Sequence, residues 1–441
     1  MFLRRFLLPA TLTSALLLSG VAMACSDLSG FYPGEDPEWE TARVGLETLF
    51  EECLDSTEYF ALYGAALLNT GRLPEAMESL ERALLLDPEN GAALIDYAAA
   101  LLQDGQLFAA IEANALVLER EDIPPALEPQ VATRQRDWSA LTRQTSWQLD
   151  LLGGYDDNLN GAPDRDLVAL TLAGEPIFLN LSQEFQSVSG PFFNLRGLLR
   201  HRQLAPDSQH NFIGQVRTRL SEDTASDVLQ VSGRYNRLQA TRRNSLQLGG
   251  GLNHLMFGGN PLFTGSDARF RYQVGRSLGC RPYYGGALQH QLWHNQSRLN
   301  GFEAALSVGS TCPLAGLGGQ RLNVEASVLR NAALKDSRLG GDRQGWQFVV
   351  DWQVAVARGV FSAQFNHTTL LDERGYTPLL ANNARRDIAR NSVLLQYREQ
   401  VNFIGSGAQL MVNVYHQDQN SNLSLFEIED TSLEIGLSWR F

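Results

Sequence analysis

The sequence predicts an α + β multidomain chain, with N-terminal α-helical repeats followed by a 14-stranded antiparallel transmembrane β-barrel. Three observations lead there. A stretch rich in Ala, Leu and Glu repeats itself 34 residues on, from Thr57. From Thr145, segments of alternating apolar and polar residues recur to the end of the chain. The last, Thr431–Phe441, puts Leu433, Ile435, Leu437, Trp439 and Phe441 on one face and Ser432, Glu434, Gly436, Ser438 and Arg440 on the other. Its length suits one tilted bilayer crossing by a strand, which takes about 9–11 residues.

The 441 residues leave room for two or three domains. With 44% hydrophobic residues and a mean hydropathy of −0.19, no long apolar run follows the first 25 residues. A barrel needs none, because lumen-facing residues dilute the lipid-facing ones. The 39 Gly suit tight turns, and the seven Trp, 12 Tyr and 21 Phe suit interfacial girdles. A net charge of −13 argues against a nucleic-acid partner, which needs a basic face. Solubility is the simplest reading of that acidity.

Residues 1–24 read as a signal peptide. Arg4 and Arg5 form the positive start, Phe6–Val21 the apolar core, and Ala22-Met23-Ala24 the cleavage site. Cys25 then becomes the first mature residue, which raises lipid attachment. A lipidation box wants a Leu-like residue where Ala22 stands. Lipidation would also strand Cys53, whereas four cysteines in an exported chain suit two bridges. Ordinary cleavage with a Cys25–Cys53 bridge is therefore favoured.

Residues 25–144 form the expected helical domain. From Glu38 to Ala140 few β-branched residues occur. Gly64, Gly71, Leu73 and Ala76 recur as Ala98, Gly105, Leu107 and Ala110. The unit Thr57–Asn90, with Phe60, Gly64, Leu67, Gly71, Ala76, Leu80, Ala83 and Pro88 in place, resembles a tetratricopeptide (TPR) repeat. Gly91–Pro124 is a weaker copy, departing at Asn114, Val117 and Asp122. Two units cannot bury their core alone, so capping helices are expected at Glu38–Cys53 and Leu127–Leu141. The repeat pattern puts Glu58, Ala61, Ala65, Leu68 and Asn69, then Ala92, Ile95, Ala99, Leu102 and Gln103, on a concave cargo groove. The plainer alternative is that these residues pack against the next helix.

Residues 145–441 form the expected barrel. Fourteen strands are read at 145–155, 189–204, 208–221, 226–238, 242–256, 262–276, 281–294, 299–312, 319–333, 343–357, 358–371, 388–402, 406–419 and 431–441. An even number places both ends on one side, and an exported helical domain makes that side the periplasm. Connections alternate short and long. The long ones, such as 156–188, 334–342 and 372–387, point outward. Cys280 starts the seventh strand and Cys312 ends the eighth, equally far from their shared turn, so a bridge at the periplasmic rim follows.

Lumen-facing positions carry both signs: Arg217, Arg219, Arg234, Arg269, Arg271, Glu303, Glu325, Asp351, Arg398 and Glu434. Such a mixture stitches neighbouring strands or holds a plug rather than selecting ions. No catalytic constellation appears and no cofactor is expected. His290 and His294 lie about 13 Å apart along a strand, too far to share a metal. Asp156, Asp157, Asn158 and Asn160 offer hard oxygens for calcium, but without a closing Glu, Asx-turn chemistry at a loop start is the better reading.

The segment G-Y-D-D-N-L-N-G-A-P, from Gly154 through Tyr155, Asp156, Asp157, Asn158 and Asn160 to Pro163, follows a helical repeat domain. In that setting it resembles the surface lipoprotein assembly modifier (Slam) family of Gram-negative bacteria. Members join a periplasmic TPR domain to a fourteen-stranded outer-membrane barrel. The resemblance implies an outer-membrane protein that moves cargo across that membrane. The cargoes are surface lipoproteins or related secreted haem- or metal-binding proteins. The aromatic C-terminal strand resembles the signal of outer-membrane barrels, which implies the barrel-assembly machinery as a partner during biogenesis, with outer-membrane lipid around the finished barrel. In this reading the seam between Thr145–Tyr155 and Thr431–Phe441 opens sideways, weakened by Gly153 and Gly154. The alternatives are an exopolysaccharide-export porin, for which a one-signed lumen is expected, or a general porin. An enzyme comes last.

Overall fold

A computed structural model describes residues 25–32, 38–275, 277, 279–314, 319–401 and 407–441; the leader expected at 1–24 lies outside them. The chain divides into two units, one through Ala140 and one from Leu141.

The first unit is helical: α1 (Trp39–Glu47), α2 (Thr57–Asn69), α3 (Leu73–Leu86), α4 (Gly91–Gln103), α5 (Leu107–Leu118) and α6 (Glu128–Leu141). Ser56 caps α2, its hydroxyl accepting from the Tyr59 amide at 3.2 Å, and Asn90 caps α4 through the Ala93 amide at 2.8 Å. The repeated glycines have a backbone cause. Gly71 and Gly105 follow α2 and α4 at φ +78° and +81°. The next amides, Arg72 and Gln106, reach back to the Leu67 and Leu101 carbonyls at 2.9 Å each. Both helices thus end in the same left-handed cap, which a side chain would strain. Gly64 allows close packing of α2 on α3, since a Cβ there would stand 2.6 Å from Leu80 Cγ. Asn114, which breaks the repeat pattern, is fully buried and donates to the Val131 carbonyl (3.1 Å) and to Gln135 (2.7 Å), docking α5 on α6. The helix expected over Glu38–Cys53 stops at Glu47. Turns follow it, and they bring Cys53 to its disulfide with Cys25.

The second unit is a closed barrel of fourteen antiparallel strands. They are β1 (Arg143–Asp156), β4 (Gly190–Leu204), β5 (Gln209–Ser221), β6 (Val228–Ala240), β7 (Ser245–Phe257), β8 (Asn260–Gln273), β9 (Arg281–Trp293), β10 (Gly301–Leu314), β11 (Gln320–Ala333), β12 (Arg343–Val356), β13 (Gly359–Gly375), β14 (Arg385–Gln400), β15 (Ala408–Ser421) and β16 (Ile428–Arg440). A small hairpin, β2 (Leu167–Leu172) with β3 (Glu175–Asn180), stands apart within the first loop. That loop carries no strand in the sequence reading. Each barrel strand pairs with its chain neighbours, and β1 closes on β16. Register puts Leu252, Leu306 and Val328, 62–66% exposed, on the outer surface among many large apolar residues. An apolar band on the outside of a closed sheet is the solution for crossing lipid by strands. This is an outer-membrane-type β-barrel. None of the described helices is long and apolar enough to cross a membrane.

Cys280 and Cys312 form a disulfide at the rim that also holds the start of β1. The loops at the opposite, far rim are mostly the longer ones. An exception joins β7 to β8 through Gly258 and Gly259 alone, both at positive φ, as a two-residue hairpin turn requires. At that rim Val168, Leu380 and Leu423 form a small apolar core with Tyr376 and Phe426. The Arg386 guanidinium lies 4.7 and 4.5 Å from the centroids of those two rings and reaches the buried Asp372 at 3.1 Å. The loop after β1 is thereby joined to the loops before β14 and β16. The Thr171 amide donates to the Leu379 carbonyl at 2.8 Å, and Arg165 pairs with Glu427 at 2.6 Å.

Candidate functional site

The joint where β1 meets β16 differs from its neighbours. Nine strand residues pair, from Gln148↔Arg440 to Asp156↔Ser432, against eleven to fourteen at every other joint of the barrel. The register continues at both ends through backbone hydrogen bonds, Trp147 with Phe441 at 3.0 and 2.9 Å and the Asp157 amide to the Thr431 carbonyl at 3.2 Å. With these two steps it is about as long as the shorter of the other joints. Close backbone approach explains two glycines here. A Cβ at Gly436 would run into the Leu151 carbonyl, and one at Gly154 into the Leu433 carbonyl and the Phe192 ring. Gly153, by contrast, has open space around it.

Polar side chains clamp this ladder at two levels. On the lumen side, the Glu434 carboxylate reaches across β1. It accepts from Asn194 Nδ2 on β4 and from Asn413 Nδ2 on β15, each at 2.9 Å, and Arg217 on β5 stands 3.7 Å away. One carboxylate thus ties strands on both sides of the seam. At the far rim, Asp156 accepts from the Asn158 amide (2.8 Å) and pairs with Arg219 (2.9 Å). The Thr431 amide donates to Asp157 at 2.6 Å, and Asn158 donates to the Ala162 and Glu429 carbonyls at 2.9 Å each. Asn160 holds the loop itself, donating to the Gln186 carbonyl at 2.8 Å. The Asp and Asn side chains of this segment serve local backbone bonds, which is Asx chemistry, and also bonds across the seam.

Closure brings in Asp430, which sequence reasoning missed. Asp156, Asp157 and Asp430 have carboxylate oxygens within 4.8 Å of one another, the one such trio among the described residues. These three are the groups that could hold a cation, with the Arg219 guanidinium the cation already paired with Asp156.

The remaining lumen residues stitch the wall. Arg271 meets Glu325 at 3.2 Å, and Tyr283 Oη donates to the same carboxylate at 2.8 Å. Arg269 pairs with Asp267 at 2.6 Å, and Asn323 donates to Asp351 at 3.2 Å. Arg234 has Arg269 and Asp267 as its charged neighbours. His290 lies on β9 and His294 directly follows that strand. His294 meets His254 through Thr264, whose hydroxyl lies 2.8 Å from a ring nitrogen of each.

In the helical unit the expected groove needs correction. Ala61, Ala65 and Leu68 are each only 8% exposed. Leu28 and Phe31 from the segment before α1 join the cluster that buries Ala61 and Leu68, and Tyr32 hydrogen-bonds Glu58. The Cys25–Cys53 disulfide pins that segment. Of the α2 residues, Glu58 and Asn69 are exposed; on α4, Ala92 and Gln103 are exposed while Ile95, Ala99 and Leu102 are half-buried.

No protein-family model matches the sequence, and no curated protein does. Among solved structures, the chain is similar to the TPR2AB domain of yeast Sti1 in its pHSP90 complex. There the identity is 18% over 23% of this chain, the TM-score is 0.22, and the chain spans 40% of that structure's length. It is also similar to a bacterial polysaccharide outer membrane secretin, at 9% identity over 67% of this chain and 98% of that one, with a TM-score of 0.35. The anion-selective porin from Comamonas acidovorans shows 9% identity over 68% of this chain and 99% of that one, with a TM-score of 0.34.

Proposed function

We propose that this chain is an outer-membrane translocator of the Slam type, with its helical domain in the periplasm. It moves surface lipoproteins or related secreted haem- or metal-binding proteins outward. The helical domain engages cargo, and the barrel passes it through or along the β1–β16 seam. The observation that carries the reading is the seam itself. It joins the first strand to the last and is clamped by side chains on its lumen face and at the far rim. The family-like segment Gly154–Asn160 lies at that joint. Side-chain clamps can exchange partners one at a time, which suits reversible opening.

The test is a lock. Gln148 and Arg440 face each other across the seam, their side chains 3.3 Å apart. Alternation from the doubly bonded Trp147–Phe441 step makes theirs a non-hydrogen-bonded pair, the closer kind. Gln148→Cys with Arg440→Cys is expected to close into a disulfide and to remove one or two cargo proteins from the surface proteome of intact cells. Reductant restores them. Unchanged export through a demonstrably oxidised lock rules out the lateral gate. A surface proteome that does not change when the gene is deleted rules out the translocator.

A further inference from the structure

The acidity of the chain is not spread evenly. Between Cys25 and Ala140 stand 23 Asp and Glu against six Arg and no Lys, a difference of −17, whereas the whole chain sums to −13. The barrel needs no such counterweight, so solubility does not explain the placement. A compact domain with this charge repels itself. What it gains is attraction for a basic partner.

The same domain has a place for one. The turns after α1 and the helices α2 and α3 surround an open hollow of about 750 Å³. Phe60, Tyr63 and Leu67 form its floor. Three large apolar side chains stand at it exposed, Phe50 at 46%, Leu54 at 45% and Leu85 at 77%. Around them are Glu47, Glu75, Glu78 and Glu81, against one cation, Arg82, whose guanidinium lies over the Phe60 ring at 5.9 Å. Glu47 and Glu75 are already paired with Arg43 and Arg72 at 2.7 and 2.9 Å, whereas Glu78 has no ion-pair partner among the described residues. The hollow is not the expected groove, since its lining shares no residue with it.

We propose that this hollow docks a basic amphipathic helix of the cargo protein. Its apolar stripe would settle on Phe50, Leu54 and Leu85, and its Lys and Arg would face Glu47, Glu75, Glu78 and Glu81. The inference rests on the translocator reading and adds to it the chemistry of the recognised segment. Carboxylates around apolar anchors set both the approach rate and the sign of the partner.

The experiment uses the full-length protein in nanodiscs of uncharged lipid. The probe is a fluorescent helix of about three turns with leucine on one face and lysine on the other, compared with the same helix carrying glutamate for lysine. Anisotropy is expected to show binding of the lysine helix only, weakening with salt. Glu78→Gln with Glu81→Gln, and separately Leu85→Ser, each weaken it on the order of tenfold. Leu85 is exposed enough that its replacement leaves the fold intact. Equal binding of both helices, unchanged affinity in the variants, or a stable dimer that covers the hollow would each overturn the proposal. If the variants bind normally while gene deletion still empties the surface of cargo, this inference falls and the translocator reading stands. If deletion leaves the surface unchanged, the reading beneath it falls instead.

Discussion

Asp96 imposes a pH dependence on the helical domain whose sign and size follow from its position. It sits on α4 beside Ile95, whose carbonyl accepts from Arg134 of α6 at 3.1 Å. Burial pushes its carboxyl from 3.8 up to about 6, and the charge of Arg134 pulls the other way without prevailing. In the unfolded chain the group loses its proton near 3.8. The folded domain holds that proton more tightly, so folding is weakened as the pH rises from about 4 to about 6 and stays weakened above. About two pKa units at about 1.36 kcal/mol each comes to about 3 kcal/mol, an upper figure because the side chain is only partly buried. Asp96→Asn removes the charge and keeps the shape. It should stabilise the domain by about 2–3 kcal/mol near neutral pH and leave it unchanged near pH ~3.5, where both proteins are uncharged at this site. For a domain of this size that is a rise in Tm of about 10 °C. Helical ellipticity of the full-length protein in detergent micelles, followed through melting at several pH values, measures the difference. A variant effect that does not vary with pH refutes the reasoning, as does an Asn variant that melts below the wild type at neutral pH.

Gly436→Leu should block closure of β1 on β16, because the new side chain would meet the Leu151 carbonyl, while Gly153→Ala, with open space around it, should be tolerated. The unfolding temperature of the barrel, read from its heat-dependent gel mobility, is expected to collapse in the first and stay within a few degrees in the second. Glu434→Ala leaves the amides of Asn194 and Asn413 without their shared acceptor and is expected to cost the barrel about 2–4 kcal/mol; Glu434→Gln, keeping one acceptor oxygen, should cost less. If the two variants unfold at the same denaturant concentration as wild type, the clamp is not holding the seam. Replacing both Cys280 and Cys312 with Ser opens a 32-residue separation and should lower barrel stability in micelles by about 3 kcal/mol; equal midpoints for the oxidised wild type and the variant would contradict this.

The barrel was legible because period-two alternation survives in many of the wall strands. Trp346 to Val354 shows it plainly, and β12 runs over Arg343–Val356 where 343–357 is expected. The hairpin β2–β3 was not. Leu167–Leu172 reads L-V-A-L-T-L and Glu175–Asn180 reads E-P-I-F-L-N, neither of which alternates, and Pro176 argues against a strand interior. The helical repeat was legible from Gly71 and Gly105, whose caps demand that residue. The groove was less so. Ala61 and Ala65 look the same in sequence whether small size serves a ligand or a neighbouring segment, and here Leu28 and Phe31 join that part of the core. Of the seam, one half could be read. Asp156 and Asn158 announce themselves in a Gly-flanked polar run. Asp430 and Glu429, some 270 positions away, become their neighbours only once β1 and β16 are paired in register.

That register also explains why the seam is clamped where it is. It sets Glu434 opposite Gly154 and brings Asp157 to Thr431, so the side-chain bonds fall on the lumen face and at the far rim. Glu434 is the direct tie between β16 and β4, while a larger residue at Gly154 would meet the Leu433 carbonyl and the Phe192 ring. In the translocator reading the same arrangement makes opening graded. Releasing Glu434 frees the lumen side while Asp157 and Asn158 still hold the far rim, so a passing chain with its own amides and basic groups can take over these bonds in sequence.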